Sequence, residues 1–463
     1  MSRQKPKSKS QPKPNTEGIT RITVAGFKSI SQEQSIEIRP LTILAGPHGS
    51  GKSSIMQPLL LLKQTLEAPY DPGALLLDGP NVKFTSVDQL LSHNNSGKLM
   101  KTFRVGIEID SQETLTTGYT QDENNAFALE QMRYNSNKVK YRLYVGMPQD
   151  EIEKVLSDSF KANLVAILKA KLGVPIRELY SLVMGLSSHI VLTQNRCFLT
   201  LIIPFRTDPA FPFPLPSDEF LENYILKLLH LPVLRGNPER TYPAAVVGSE
   251  FPGTFEKYTA SVIEHWQTVG NSDKLEKLNR DLARLSLTSK VIARRIDDMQ
   301  IELLVNRFAH SNGEGSEDML SIAEAGLGIS QALPVVVALH AANQGQLLYI
   351  EQPESDLHPR AQSAMAEVLA NAAKEGKRLV VETHSSLLLL GIQTLVAEGK
   401  LPPELVKLHW FTQQEDGSTK IDSADLDERG TYGDWPEDFD DIALYTENRF
   451  LNAQALAFGP ADE

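Results

Sequence analysis

The chain has 463 residues, a formal charge of −12 and 41% apolar residues, enough for two or three domains of about 100–200 residues each. One cysteine, Cys197, excludes an internal disulfide and a cysteine-built zinc cluster, which fits a reducing cytoplasm, and no apolar run approaches the roughly 18 residues of a membrane span. Residues 1–16 hold Arg3, Lys5, Lys7, Lys9 and Lys13 and no acid, so the rest carries −17; such an acidic body argues against a broad nucleic-acid-coating surface and leaves only a local basic groove open.

Residues 1–17 alternate Lys, Ser, Gln and Pro without an apolar stretch and read as a disordered basic tail. The alternation at 19–24 and 34–38 predicts two antiparallel strands feeding the apolar run Leu41-Thr42-Ile43-Leu44-Ala45. Directly after it stands Gly46-Pro47-His48-Gly49-Ser50-Gly51-Lys52-Ser53, followed by Ser54-Ile55-Met56. This fits G-x-x-x-x-G-K-[ST] between a strand and a helix start. Glycines let backbone N–H groups turn inward around phosphate oxygens, and the helix N-terminus adds partial positive charge. Lys52 supplies a cation for the β/γ-phosphates, and Ser53 offers a hydroxyl to Mg²⁺. A chance Gly-rich turn does not explain four fixed positions in that context.

Strand-like pieces at 103–109 and 139–145 predict antiparallel pairing near this loop. From 149 the period becomes helical, with helices expected at 151–171 and 176–184, a Pro-rich interruption at 203–216 and a helix at 219–229. Residues 146–230 therefore read as a mainly helical insertion, a usual place for partner contacts or for surface elaboration. The body resumes at 231, with helical spacing at 255–266 and 273–285 and a strand-rich stretch at 291–305.

Three further motifs follow. Ala323-Glu324-Ala325-Gly326-Leu327-Gly328-Ile329-Ser330-Gln331 is glycine-rich and precedes an apolar helix at 332–339, offering free N–H groups and a Ser hydroxyl to an anion. The strand Leu347-Leu348-Tyr349-Ile350 ends in Glu351-Gln352-Pro353-Glu354-Ser355-Asp356-Leu357-His358-Pro359, placing a carboxylate where a Mg²⁺-nucleotide site needs one. Arg378-Leu379-Val380-Val381-Glu382-Thr383-His384-Ser385 is a strand ending in a turn, whose His384 read alone is a structural histidine.

In this order the motifs resemble those of the ABC-type ATPases of the overcoming-lysogenization, RecF and SMC group, and more narrowly its small stand-alone members, the AAA-15 and AAA-21 ATPases. Leu426-Asp427-Glu428-Arg429-Gly430 and Asp434-Trp435-Pro436-Glu437-Asp438-Phe439 are similar to a short C-terminal domain carried by one subgroup. The resemblance covers about 19–120 and 231–450 and implies an α/β P-loop NTPase of ABC-ATPase-head type, with a mixed sheet and an antiparallel β subdomain. Its implied parts are a tail (1–17), an N-terminal lobe with the phosphate loop (18–145), the insertion (146–230), a C-terminal lobe (231–415) and a small extension (416–463).

The resemblance also implies roles. Gly46 through Ser54 would hold the phosphates of ATP, with Ser53, Glu351 and Gln89 at Mg²⁺, Lys52, Glu351 and Gln352 in catalysis, and His384 as γ-phosphate sensor. Gly328, Ser330 and Gln331 would form a signature helix start contacting the γ-phosphate held by a second protomer. Many relatives carry Glu directly after the strand-tip acid as general base, whereas this chain has Gln352. Glutamine accepts no proton at neutral pH but orients water, so slow hydrolysis and a long-lived ATP-bound dimer are expected. The implied role is a cytoplasmic ATPase switch in prokaryotic anti-phage defence that controls a separate effector such as a nuclease, as in Septu-type and PARIS-type systems. The alternative is a RecF/SMC-like clamp holding DNA for repair. The acids Glu437, Asp438, Asp440 and Asp441 read as a helix start or docking motif, since no His or basic partner accompanies them.

Overall fold

The structure is a computed structural model that describes residues 18–93, 97–110, 112–122, 126–137, 139–155, 191–203, 211–213, 215, 224–307 and 318–433. In chain order, β1 (Ile19–Ala25), β2 (Gln34–Glu37) and β3 (Leu41–Ala45) lead into α1 (Lys52–Glu67). Next come β4 (Thr102–Ile109), β5 (Glu113–Gln121), β6 (Phe127–Asn135), β7 (Lys140–Tyr144) and α2 (Gln149–Val155). The insertion contributes β8 (Val191–Asn195), β9 (Phe198–Ile203) and β10 (Phe211–Phe213). After β11 (Leu229–Leu231) follow β12 (Tyr242–Pro243), α3 (Thr259–Thr268), α4 (Ser272–Arg284), β13 (Val291–Arg295), β14 (Gln300–Asn306) and β15 (Met319–Ser321). The body closes with α5 (Leu327–Ala341), β16 (Leu347–Glu351), α6 (Pro359–Lys374), β17 (Arg378–Glu382), α7 (Ser386–Ala397), β18 (Val406–Gln413) and β19 (Thr419–Ala424).

The central sheet runs β11-β16-β17-β3-β18-β19, parallel except for the antiparallel edge strand β19. Parallel strands covered on both faces must be apolar throughout, and β3 is buried at every residue. Side chains alternate between two cores. Leu44, Tyr349 and Val380 face the core shared with α1 and the antiparallel sheet. Leu41, Ile43, Leu348, Ile350, Leu379 and Val381 face the core shared with α3 to α7. All the loops that follow β3, β16 and β17 emerge at one edge of this sheet, the edge where open α/β sheets bind ligands.

The second sheet, β2-β1-β4-β5-β6-β7, is antiparallel throughout. The hairpin β1-β2 expected to feed the phosphate-loop strand thus belongs to a different sheet from β3. Strands β5 and β6 are not predicted from the sequence; in β5, Thr114, Thr116, Thr117 and Thr120 blur the apolar alternation, although β-branched threonine suits a half-exposed pleat. In the insertion, β8, β9 and β10 form a three-stranded antiparallel sheet, an element the helical reading omitted. The helices expected at 156–171, 176–184 and 219–223 lie outside the described residues, as do the 1–17 tail and the acids Glu437, Asp438, Asp440 and Asp441. β19 lies within the segment assigned to the extension (416–463), yet it completes the central sheet. The following Asp427–Gly430 turn docks on α7, where Gln393 Nε2 donates to the Gly430 carbonyl at 3.1 Å.

One buried ring ties the two sheets together and gives the fold a pH dependence. His409 on β18 is fully buried, with Nε2 2.9 Å from the Glu37 carbonyl of β2 and Nδ1 2.8 Å from Ser423 Oγ. The carbonyl requires an N–H donor, so the ring is neutral with its proton on Nε2 and accepts the Ser423 hydroxyl at Nδ1. Burial pushes its pKa down to about 4, below the ordinary value of about 6.5. The unfolded chain therefore binds the proton first as pH falls, so stability is fully present above about pH 6.5 and is lost toward pH 4. The loss from this ring is about 3 kcal/mol across that window. Urea denaturation at pH 7.5, 6 and 5 should show a falling midpoint, and His409→Asn should flatten the fall by about one proton.

Candidate active site

β3 delivers the chain into a loop whose glycines adopt left-handed backbone, with φ 140° at Gly46, 77° at Gly49 and 92° at Gly51. A Cβ on Gly46 would sit 2.3 Å from the Phe411 carbonyl oxygen, and one on Gly51 would sit 2.2 Å from Thr419 Oγ1. The loop is therefore pressed against β18 and β19 on one side, while Gly49 opens to empty space. Lys52 begins α1 and is buried, its Nζ donating to the carbonyls of Gly46 at 3.0 Å and Pro47 at 2.7 Å. Ser50 Oγ is buried without a hydrogen-bond partner among the described residues. An orphan hydroxyl in a glycine loop at a helix N-terminus fits a phosphate oxygen. Ser54, buried behind the loop, donates its N–H to the Gly51 carbonyl at 3.0 Å and fixes the first turn of α1.

The hydroxyl of Ser53 donates to Glu382, at 3.1 Å from Oε1 and 2.9 Å from Oε2. Tyr349 OH donates to the same carboxylate at 2.8 Å. Glu382 is the last residue of β17 and pairs across the sheet with Leu44 and with Glu351. Burial first, then the neighbouring charge of Glu351, hold its pKa above the usual carboxylate range. Two carboxylates at adjacent strand tips in a partly dry site repel each other, and a divalent cation would relieve both.

Glu351 itself is turned the other way. Its Oε1 lies 3.2 Å from His230 Nε2, and its Oε2 accepts the Val233 N–H at 3.3 Å. His230 is buried at the middle of β11 and stacked on Tyr349, with ring centroids 5.4 Å apart and planes 8° from parallel. The sequence reading set Glu351 beside Ser53; the structure sets Glu382 there, because β17 lies between β16 and β3. The signal was present in Glu382-Thr383-His384-Ser385, a second acid at a strand tip. Its meaning depended on strand order, which the sequence does not reveal.

His384 stacks on His48 of the phosphate loop, with centroids 3.9 Å apart and planes 28° from parallel. Burial, then the charges of Lys52 and His48, push its pKa down to about 4. A neutral imidazole at this place presents one N–H donor and one lone pair at neutral pH. The turn that carries it is fixed by Glu354, whose Oε1 accepts Thr383 Oγ1 at 2.6 Å and the His384 N–H at 3.1 Å.

The signature residues are arranged differently from expectation. Helix α5 starts at Leu327, so Gly328, Ser330 and Gln331 lie within its first two turns. Ser330 is buried and donates to the Leu327 carbonyl at 2.8 Å. Gln331 is buried as well, accepting from the Arg235 N–H at 3.3 Å and donating to the Gly236 carbonyl at 2.9 Å. What this helix start exposes is Gly326 and Leu327, with open space around Gly326. Gln89 is exposed and folded back on its own turn, accepting from the Thr85 N–H and donating to Thr85 Oγ1, both at 2.9 Å. Its amide is thereby occupied within its own turn.

The residues fit a Mg²⁺-nucleotide, with Gly46 to Ser54 around the phosphates and Ser53 with Glu382 at the metal. The metal, when bound, supplies positive charge to the transferring phosphoryl group. Lys52 is positioned to exchange its two loop carbonyls for phosphate oxygens, and Gln352 faces the same edge from the tip of β16.

Two family models match the sequence. Residues 18–174 match the AAA ATPase domain. Residues 216–390 match a family described as "AAA domain, putative AbiEii toxin, Type IV TA system". No curated protein matches the chain. Similar solved structures include an Smc head bound to the C-winged helix domain of ScpA, at 12% identity over 89% of this chain and 98% of that one, with TM-score 0.45. Another is the SMC head domain from Thermotoga maritima, at 10% identity, 88% and 98% coverage and TM-score 0.36. A third is an Smc head domain with an extended coiled coil, bound to the C-terminal domain of ScpA derived from Pyrococcus furiosus, at 12% identity, 93% and 99% coverage and TM-score 0.41.

Proposed function

The chain is an AAA/ABC-type ATPase, and we propose that it works as a dimerising switch in which ATP holds two protomers together and slow hydrolysis releases them. The observation that carries this reading is the start of α5. Gly326 and Leu327 are exposed at a helix N-terminus that no side chain caps among the described residues, an anion-binding arrangement. The phosphate loop packs instead against β18 and β19, so each protomer carries half of a composite site. Lys52, Ser53 and Glu382 form one half and the α5 start the other.

Hydrolysis in this reading rests on positioning rather than on a strong base. Gln352 orients the attacking water, Lys52 neutralises the transferring phosphoryl group, as a Mg²⁺ held by Ser53 and Glu382 would, and His384 donates a hydrogen bond to it. The switch controls a separately encoded effector in cytoplasmic anti-phage defence. The toxin and TA-system wording of the matched family supports that direction. A DNA-holding role draws on a different feature, a cleft on the antiparallel sheet lined by Arg21, Arg104 and Arg133 together with Glu33 and Glu108.

Sedimentation with and without a non-hydrolysable ATP analogue tests the switch. The expected result is a monomer that doubles in mass with the analogue and Mg²⁺, while Lys52→Ala stays monomeric. Basal turnover should fall well below about 10 per second, the enzyme median. A monomer under all conditions, or fast turnover abolished by Lys52→Ala, would overturn the slow dimer switch. Co-purification with a neighbouring gene product favours the effector reading, and DNA binding with a steep salt slope favours the clamp.

A further inference from the structure

Behind the candidate site lies a buried guanidinium that the ATPase motifs do not explain. Arg235 follows β11 and is 6% exposed. Its Nη2 donates to the carbonyls of Glu351 and Gln352, the latter at 3.2 Å, and its Nη1 donates to the Gln331 carbonyl at 3.3 Å. Its own N–H and the carbonyl of Gly236 clamp the two ends of the Gln331 amide. One short loop thus bolts the second turn of α5 to the tip of β16.

The peptide it holds is unusual. Gln352 has φ 45°, a left-handed conformation that costs a non-glycine residue about 1–3 kcal/mol and persists only where its surroundings over-determine it. Here the Gln352 N–H donates to the Glu382 carbonyl at 2.7 Å, and Arg235 holds the carbonyls on the other side. Two bonds at this bolt remain unmade: Arg235 Nε and Glu354 Oε2 are buried without partners among the described residues. Glu354 is the residue whose other oxygen fixes the His384 turn. Its charge is the strongest favourable one acting on Arg235, so an unused donor and an unused acceptor lie within electrostatic reach of each other.

We propose that Arg235 is a positioning residue that couples the two ATP sites of the dimer. This rests on the composite-site reading above. In each protomer α5 faces the partner's nucleotide, while Gln352 and His384 serve the protomer's own. A shift of α5 as it meets the partner's nucleotide is passed through Gln331 and Arg235 to the Gln352 turn, and through Glu354 to the His384 turn. Occupation of one site thereby sets the water-orienting group of the other. Interfaces and packed cores of this kind are bistable rather than continuously deformable, and a rigid fork that grips three carbonyls is suited to moving two elements as one.

The test measures ATP hydrolysis against ATP concentration for the full chain, for Arg235→Lys and for Glu354→Gln, with nucleotide binding followed by a fluorescent ATP analogue and folding by thermal melting. The wild type is expected to give a Hill coefficient above 1. Arg235→Lys keeps the charge but loses the fork, and should bind the analogue within about threefold of wild type, lose roughly 10-fold or more in kcat, and give a Hill coefficient of 1. Glu354→Gln should lower cooperativity with a smaller change in kcat. Cooperative hydrolysis retained in Arg235→Lys overturns the coupling, as does loss of analogue binding in step with kcat, which marks a merely structural role. If Arg235→Lys melts before assay, Gln331→Ala, which removes the other end of the bolt, carries the same expectation. A wild type that neither dimerises nor shows cooperativity refutes the composite-site reading itself, a result distinct from a cooperative wild type with an indifferent Arg235.

Discussion

Glu382→Gln is expected to lower magnesium-dependent ATP turnover about 100-fold or more, and to weaken metal binding in the nucleotide complex about tenfold or more. Both Glu382 oxygens accept the Ser53 hydroxyl, and Tyr349 holds the carboxylate in place. A neutral amide keeps much of this shape but removes the negative charge, and losing even one preorganised neutral hydrogen-bond donor at an active site lowers the rate about 10²–10³-fold, about 2.7–4 kcal/mol. The readouts are turnover together with Mn²⁺ affinity in the presence of a non-hydrolysable analogue, followed by electron paramagnetic resonance. Glu351→Gln is expected to have the smaller effect on Mn²⁺ affinity, because its carboxylate is held by His230 and Val233. The reverse ranking would return the metal to Glu351.

Gln352→Glu should raise basal hydrolysis by about 100-fold, the lower end of the 10²–10⁴ range for an added general base. The lower end applies because glutamine already orients water, so what the substitution adds is proton acceptance alone. The side chains are nearly isosteric, and the Gln352 N–H bond to β17 and the Arg235 contacts to the adjacent carbonyls are main-chain interactions at that position. The turn should therefore survive. Single-turnover hydrolysis measures the chemical step, and sedimentation in ATP should show a dimer that decays correspondingly faster. An unchanged rate would mean that another group accepts the proton and that Gln352 sets no timer.

Burial, with the charges of Lys52 and His48, holds the His384 pKa at about 4 in the nucleotide-free protein, so kcat/KM, which reports the free enzyme, should show no step from this histidine between about pH 5.5 and 8.

Local chemistry made part of this protein legible from its residues alone. The phosphate loop could be read because its requirements are local: an apolar strand, glycines free to take left-handed backbone, a lysine and a serine in fixed succession. The strands ending at Glu351 and Glu382 could be read for the same reason, since an apolar run before an acid, Leu347 to Ile350 in one and Leu379 to Val381 in the other, describes a buried parallel strand and its tip. The α3 and α4 helices followed from their period. Strand β5 did not, because its threonine-rich pleat carries little contrast between its faces.

Which acid meets Ser53, where the signature side chains point and what Arg235 does were decided only by the fold. All three depend on spatial order. β17 lies between β16 and β3, so the nearer carboxylate at the phosphate loop is Glu382, some thirty residues later in the chain than Glu351. Position along α5 leaves Gly326 and Leu327 at its start exposed and buries Ser330 and Gln331 one turn further in, although all four sit in one motif. Arg235 acquires its role from carbonyls contributed by residues about 100 positions away. The sequence by itself therefore determined the phosphate loop and the residue types around it; only the tertiary structure decided which carboxylate meets Ser53, which end of α5 is exposed and which carbonyls Arg235 grips, because backbone carbonyls and strand neighbours leave no signature in side-chain order.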